Sequence, residues 1–140
     1  GKGILWASWM YGATKDSPEE LVPLARSWAY PPELRIEGDN YVSEGYDFTQ
    51  RAYIINAENS GSTPLKFTLN AGEDSPVVNC AFVIKNWGDF GARISVNGKD
   101  VTNSKEIRTG YLRKLDGTDL IVWIEGDYTK PVNMVFSRMN

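Results

Sequence analysis

Val78-Asn79-Cys80-Ala81-Phe82-Val83-Ile84-Lys85-Asn86-Trp87-Gly88-Asp89-Phe90-Gly91-Ala92-Arg93-Ile94-Ser95-Val96-Asn97-Gly98 is the stretch that decides the fold. Val78, Cys80, Phe82 and Ile84 share one face of an extended segment. Asn86-Trp87-Gly88-Asp89 interrupts it with turn-forming residues. Ala92, Ile94 and Val96 then alternate with Arg93, Ser95 and Asn97, the pattern of a strand with one apolar and one polar face. Asn97-Gly98 is a strong tight-turn signal.

The same reading extends in both directions. Upstream, Leu34 and Ile36 form a short strand broken by Glu37-Gly38-Asp39-Asn40. Residues 50–56 form another, and Ala52-Tyr53-Ile54-Ile55 is apolar on both faces, as in a central strand. A polar loop covers 58–64. Leu65, Phe67 and Leu69 alternate with Lys66, Thr68 and Asn70, and 71–76 is a turn region. Downstream, residues 107–114 are a strand, Asp116-Gly117 marks a turn, Leu120 to Ile124 is buried, 125–131 is a loop, and Val132, Met134 and Phe136 alternate at the end. Short strands with turns at this spacing, and no strand–helix alternation, predict an all-β, antiparallel, jelly-roll-like β-sandwich of about eight strands.

The first residues differ. Residues 1–12 carry Trp6, Trp9 and Tyr11 and read as a strand ended by Gly12. Asp16-Ser17-Pro18-Glu19-Glu20 is a helix start, with a cap candidate, an early Pro and acids near the positive end of the dipole. Leu21, Leu24, Ala25 and Trp28 follow at helical spacing, and Tyr30-Pro31-Pro32 stops the helix. This is the one short N-terminal helix expected. At 140 residues the chain is one domain, 1–140. It opens on Gly-Lys-Gly without Met and runs straight into a strand-like segment. It is therefore read as part of a larger multidomain protein.

Composition narrows the chemistry. The net charge of −3 disfavours a nucleic-acid domain. No apolar run reaches the ~20 residues of a membrane-spanning helix. There is no histidine, which removes the commonest general base and the Ser-His and Cys-His nucleophile pairs. One cysteine, Cys80, allows no disulfide within the chain and, with no histidine beside it, makes a zinc site unsupported. Carboxylates remain: Glu33, Glu37, Asp39, Glu44 and Asp47 lie near Arg35 and Arg51, but acids this abundant identify no catalytic pair, and no catalytic residue is assigned. Tyr46, Arg51 and Tyr53 give only a faint hint of lyase chemistry. No cofactor is expected. A structural calcium ion is left open, because Glu37-Gly38-Asp39-Asn40 and Asp116-Gly117-Thr118-Asp119 offer oxygen ligands, although ordinary Asp-Gly turns explain both.

Aromatic content is the more informative feature, with five Trp and seven Tyr. A flat apolar ring with a polar edge suits the C–H face of a pyranose. Trp6, Trp28 and Trp123 sit in apolar patterns and read as core. Trp87 is flanked by polar and turn residues where a strand breaks, which makes it the candidate stacking platform. Lys85, Arg93, Arg108 and Tyr111 are the candidate hydrogen-bonding and charged partners around it, and Arg suits carboxylate or sulfate groups.

Two groups of motifs carry a resemblance. One is Leu24-Ala25-Arg26-Ser27-Trp28, Pro31-Pro32, Gly45-Tyr46-Asp47 and Arg51-Ala52-Tyr53. The other is Ala81-Phe82-Val83-Ile84-Lys85-Asn86-Trp87-Gly88, Val96-Asn97-Gly98-Lys99 and Gly117-Thr118-Asp119-Leu120-Ile121-Val122-Trp123-Ile124. Together they resemble the C-terminal β-sandwich regions of large secreted bacterial polysaccharide-degrading enzymes. The resemblance implies a non-catalytic, secreted or cell-surface module with two alternative roles. It either binds a polysaccharide, with acidic or sulfated polymers included, or packs against the catalytic domain of a parent lyase or glycoside hydrolase. Net charge and the lack of a long apolar run point to no nucleic-acid or membrane partner, and the resemblance supplies no ligand-binding residues.

Overall fold

The computed structural model describes residues 30–57 and 60–139. The expected N-terminal strand and the helix ending at Trp28 lie outside the described residues. Among the described residues there are ten strands: β1 Leu34–Ile36, β2 Val42–Asp47, β3 Ala52–Asn56, β4 Leu65–Leu69, β5 Val77–Lys85, β6 Gly91–Val96, β7 Lys99–Asp100, β8 Ile107–Lys114, β9 Gly117–Tyr128 and β10 Val132–Met139. They form two five-stranded sheets. The front sheet has the order β1-β4-β10-β6-β7 and the back sheet β2-β3-β5-β9-β8. The described residues form an all-β sandwich, as the alternation at 65–69 and 92–96 predicts.

One pairing departs from the antiparallel expectation. β3 and β5 run parallel, with Tyr53 opposite Phe82 and Ile55 opposite Ile84. The chain leaves β3, crosses to the front sheet as β4, and returns to the back sheet beside the strand it left. β3 and β5 are buried on both faces, which is why both read as continuous apolar runs.

The core lies between the sheets. Phe67, Phe82 and Phe136 meet at its centre, with Phe136 edge-on to Phe67 at 5.3 Å and to Phe82 at 5.6 Å. Ring pairs of this geometry add to the gain from burial alone. Cys80 is buried among them, and burial pushes its thiol up to about 12. That makes it a packing residue and not a nucleophile.

Three local features depart from the pattern read off the sequence. β2 is an additional strand, polar and exposed, with its register broken between Ser43 and Gly45. β9 continues through Tyr128, so 125–128 is strand where a loop is expected. Opposite that extension, β5 bulges at Asn79, which adopts φ +50° and accepts a hydrogen bond from the Gly126 amide at 3.1 Å. The Asn97-Gly98 turn is as expected: both residues have positive φ, and the turn joins Val96 to Lys99 across a two-residue loop.

Candidate functional site

The five residues singled out in the sequence do not converge. Trp87 is the clearest correction. It is only 1% exposed and belongs to the core cluster, so neither ring face is open to a sugar. Its Nε1 donates to the Phe90 carbonyl at 3.2 Å, and the Arg138 guanidinium stacks 4.3 Å from the ring. Arg138 in turn donates to the Trp87 carbonyl at 2.9 Å, to the Tyr41 hydroxyl at 3.0 Å and to Ser60 Oγ at 2.8 Å. The polar flanks that suggested exposure belong to the turn, and Arg138 covers the ring.

The other four are dispersed. Arg93 lies on β6, on the outer side of the front sheet, paired with Asp100 at 3.0 Å. Arg108 and Tyr111 share β8, but Arg108 is opposite Trp123 and Tyr111 is opposite the core residue Leu120, so they point to opposite faces. Lys85 ends β5 on the outer side of the back sheet, where its Nζ meets Glu44 Oε1 at 2.8 Å. Lys85 alone lies in a cleft.

That cleft is built row by row on the outer face of the back sheet. The row nearest the point where the described chain begins is Asp47, Ala52, Ala81, Trp123 and Arg108, and the next is Gly45, Ile54, Val83, Ile121 and Gly110. One step beyond, where β3 and β5 end, the face turns polar with Asn56, Lys85 and Asp119. The two glycines lie at the margins of the apolar row. At Gly110 a Cβ would come 3.5 Å from the Trp123 ring, so the indole covers the bare backbone of the edge strand. Trp123 thus lies half-buried on this outer face and not in the core.

The polar end is tightly interlinked. Asn56 Nδ2 donates to Glu44 Oε2 at 3.4 Å, and Asn86 Nδ2 donates to Asn56 Oδ1 at 3.2 Å. The Asn86 amide donates to Asp119 Oδ1 at 3.2 Å, and Lys114 Nζ pairs with Asp119 Oδ2 at 2.9 Å. Asn86 holds φ +62°, and a Cβ at Gly117 would approach its Oδ1 to 3.0 Å, so the hairpin backbone is shaped around this amide. The hydrogen bond from Lys85 is the main reason the Glu44 carboxyl titrates below its usual range. Asp47 is also lowered, chiefly by hydrogen bonds from the Gln50 side chain and backbone. The Lys114 ammonium is raised, chiefly by its hydrogen bond to Asp119.

Two adjoining spaces open along this end. One, of about 490 Å³, is lined among the described residues by Glu44, Asp47, Gln50, Lys85, Lys114 and Asp119 over a floor of Ile54, Val83, Leu112 and Ile121. The other, of about 550 Å³, adds Asn56, Asn86 and Asp116 and shares Lys85 and Lys114 with the first. Among the described residues no three His, Cys, Asp or Glu side chains group to hold a metal ion. The two loops considered for calcium are the β1–β2 turn and the start of β9.

Sequence reading found Lys85 but not Glu44, Asn56, Asn86, Lys114 or Asp119 as a group. The signal available was the polar residue ending each apolar run, Asn56 after Ile55, Lys85 after Ile84 and Asp119 before Leu120. Their convergence depends on the parallel β3–β5 pairing, which no local pattern announces. Fold and cleft together define an all-β sandwich with a polar groove at one end of a sheet face. Compared with protein-family models, curated proteins and solved structures, the chain matches none.

Proposed function

We propose that the chain is a non-catalytic carbohydrate-binding module that holds a secreted bacterial enzyme on its polysaccharide, through the groove at the polar end of the back sheet. The observation that carries this is the composition of the groove. Amides from Asn56, Asn86 and Gln50, carboxylates from Glu44, Asp47 and Asp119, and ammoniums from Lys85 and Lys114 alternate donors and acceptors beside an aliphatic floor. Hydroxyl-rich ligands need both roles within a few ångströms, and their C–H faces need an apolar surface. The groups are ordered by one another before any ligand arrives, which lowers the entropic cost of binding. Four carboxylates face two ammoniums among the described lining residues, so the groove favours a neutral polymer over a uronate or sulfated one. The carboxyls of Glu44 and Asp47 titrate low, which suits accepting hydrogen bonds and not general-acid work.

Affinity electrophoresis in native gels cast with neutral, uronate and sulfated polysaccharides tests this, with mobility referred to a polymer-free gel. Retardation by a neutral polymer, lost in Lys85→Ala and Asn56→Ala and kept in Arg93→Ala, is the expected result. Retardation that survives both groove substitutions, or none from a folded chain across the panel, sinks the assignment. A second reading is favoured by the apolar rows beside the groove: a structural sandwich that packs this face against a parent enzyme's catalytic domain.

A further inference from the structure

The apolar half of the back sheet's outer face is buried without a described cover. Ile54, Val83 and Ile121 are only 7%, 6% and 8% exposed, and Ala52 and Ala81 are at 0% and 1%. These five residues form a hydrophobic cluster separate from the main core. Its partly buried partners among the described residues, Leu112 and Trp123, belong to the same sheet. A single sheet face leaves its aliphatic side chains in contact with water unless a second layer lies on it.

We propose that residues 16–28 of this same chain supply that layer, laying the apolar stripe Leu21, Leu24, Ala25 and Trp28 across β3, β5 and β9. Three observations favour this occupant. The first is where the described chain begins. The Tyr30 carbonyl accepts a hydrogen bond from Ser75 Oγ at 2.6 Å, and the Pro32 carbonyl accepts one from the Tyr53 hydroxyl at 2.7 Å. Both anchors lie at the end of the back sheet where the apolar rows begin, so only Ala29 separates Trp28 from the anchored backbone. The second is size. Three neighbouring strands span about 10 Å, close to the width of one helix. A thirteen-residue helix is about 20 Å long, enough to cross the apolar rows and stop short of the polar groove. The third is chemistry. Apolar positions at helical spacing give this segment one face that needs burial, and Ala52 and Ala81 leave shallow places for large side chains such as Trp28.

The cover rests on aliphatic residues that also floor the first of the two spaces, so it leaves a sugar the polar rim; the experiment involves no sugar and so keeps the cover and the carbohydrate reading apart. In the full chain with Cys80→Ala, Val83→Cys places a thiol under the proposed cover, and its reaction with a small maleimide is timed. The expected result is slow labelling, accelerated by about tenfold or more when Leu24→Glu and Trp28→Glu are added, as for release of a local layer. The rate is expected not to change on dilution. A parallel Leu24→Glu, Trp28→Glu chain that keeps Cys80 reports on the core, and its thiol stays unreactive if only the cover is lost. Fast labelling before the glutamates are added overturns the proposal, as does no acceleration in a chain whose core is intact. Acceleration on dilution also overturns it, since a second copy is then the cover. If Cys80 reacts, so that the glutamates have unfolded the chain, a second test decides. Val83→Cys with Leu24→Cys in the Cys80→Ala background must give an intrachain cross-link with a short bis-maleimide, and a failure to cross-link rejects the cover.

Discussion

The outer faces of the two sheets are opposites. On the front sheet, Arg35, Thr68 and Asn133 form one row, and Lys66, Val135, Ser95 and Asp100 the next. Side chains there satisfy one another, as when Thr68 Oγ1 donates to Asn133 Oδ1 at 2.7 Å. On the back sheet the equivalent positions are Ala52, Ile54, Ala81, Val83 and Ile121, and polarity appears only at the far end. A sandwich needs one apolar face per sheet. The back sheet has two, so its stability depends also on what covers the second, while the front sheet is finished by water.

The sharpest way to break this contrast is a charge on each face. Val83→Asp is expected to cost about 3 kcal/mol or more, because a carboxylate is placed in an apolar layer without a partner. Val135→Asp, on the outer face of the front sheet, is expected to cost under about 1 kcal/mol. Urea unfolding of the two variants measures both, and equal costs would mean that the back face is as wet as the front.

The front sheet holds a half-buried polar group of its own, which gives the next largest effect. Arg138 points inward from β10, between Trp87 and a set of oxygen acceptors. Arg138→Met keeps much of the packing but strips donors from the Trp87 carbonyl and the hydroxyls of Tyr41 and Ser60. A loss of about 2 kcal/mol in the same unfolding assay is expected. A neutral result would mean that water replaces the guanidinium at no cost. Tyr53→Phe follows at about 1 kcal/mol, since it removes only the bond to the Pro32 carbonyl that anchors the start of the described chain to the back sheet.

How far this contrast is legible in the sequence depends on the kind of strand. β4 and β6 alternate cleanly, and each predicts both its own existence and its wet face. β3 and β5 are apolar throughout, which shows burial on two sides but not which neighbours provide it. β2 escapes because a polar edge strand with a glycine and a bulge has neither period nor propensity to mark it. Trp87 misleads for a related reason. Its neighbours Asn86, Gly88 and Asp89 are polar because the backbone turns there, with the Gly88 amide donating to the Thr118 carbonyl and the Asp89 carboxylate accepting from Arg113, not because the ring is wet. The Arg138 that covers it is 51 residues away. The groove is legible only as isolated polar residues at the ends of apolar runs, since long-range pairing assembles it.

The smallest effects lie at the polar end of the back face, where one ion pair ties neighbouring strands β8 and β9 and another reaches from β5 past β3 to β2, with opposite pH dependence. The Lys114 ammonium is raised above its ordinary 10.5 by Asp119. A raised folded value means that its contribution is fully present below the unfolded value and is lost as pH rises through the folded one. Asp119→Asn is therefore expected to flatten the alkaline limb of the stability curve, above about pH 10.5. Glu44 runs the other way. Its folded value lies below 4.5, chiefly through the hydrogen bond from Lys85. Its contribution is present above the unfolded value and is lost as pH falls through the folded one. Glu44→Gln is expected to lessen the loss of stability on acidification below about pH 4.5 relative to the parent chain, read as the difference in urea midpoint between neutral and acid pH. Both partners are more than a third exposed, so solvent and salt screen the pair, and the effect is expected to shrink further in high salt. An unchanged acid limb in Glu44→Gln at low salt would show that the Lys85–Glu44 contact orders the groove without stabilising the sheet. The groove would then be held in shape by the amides of Asn56 and Asn86, and the two lysines would remain available to a ligand.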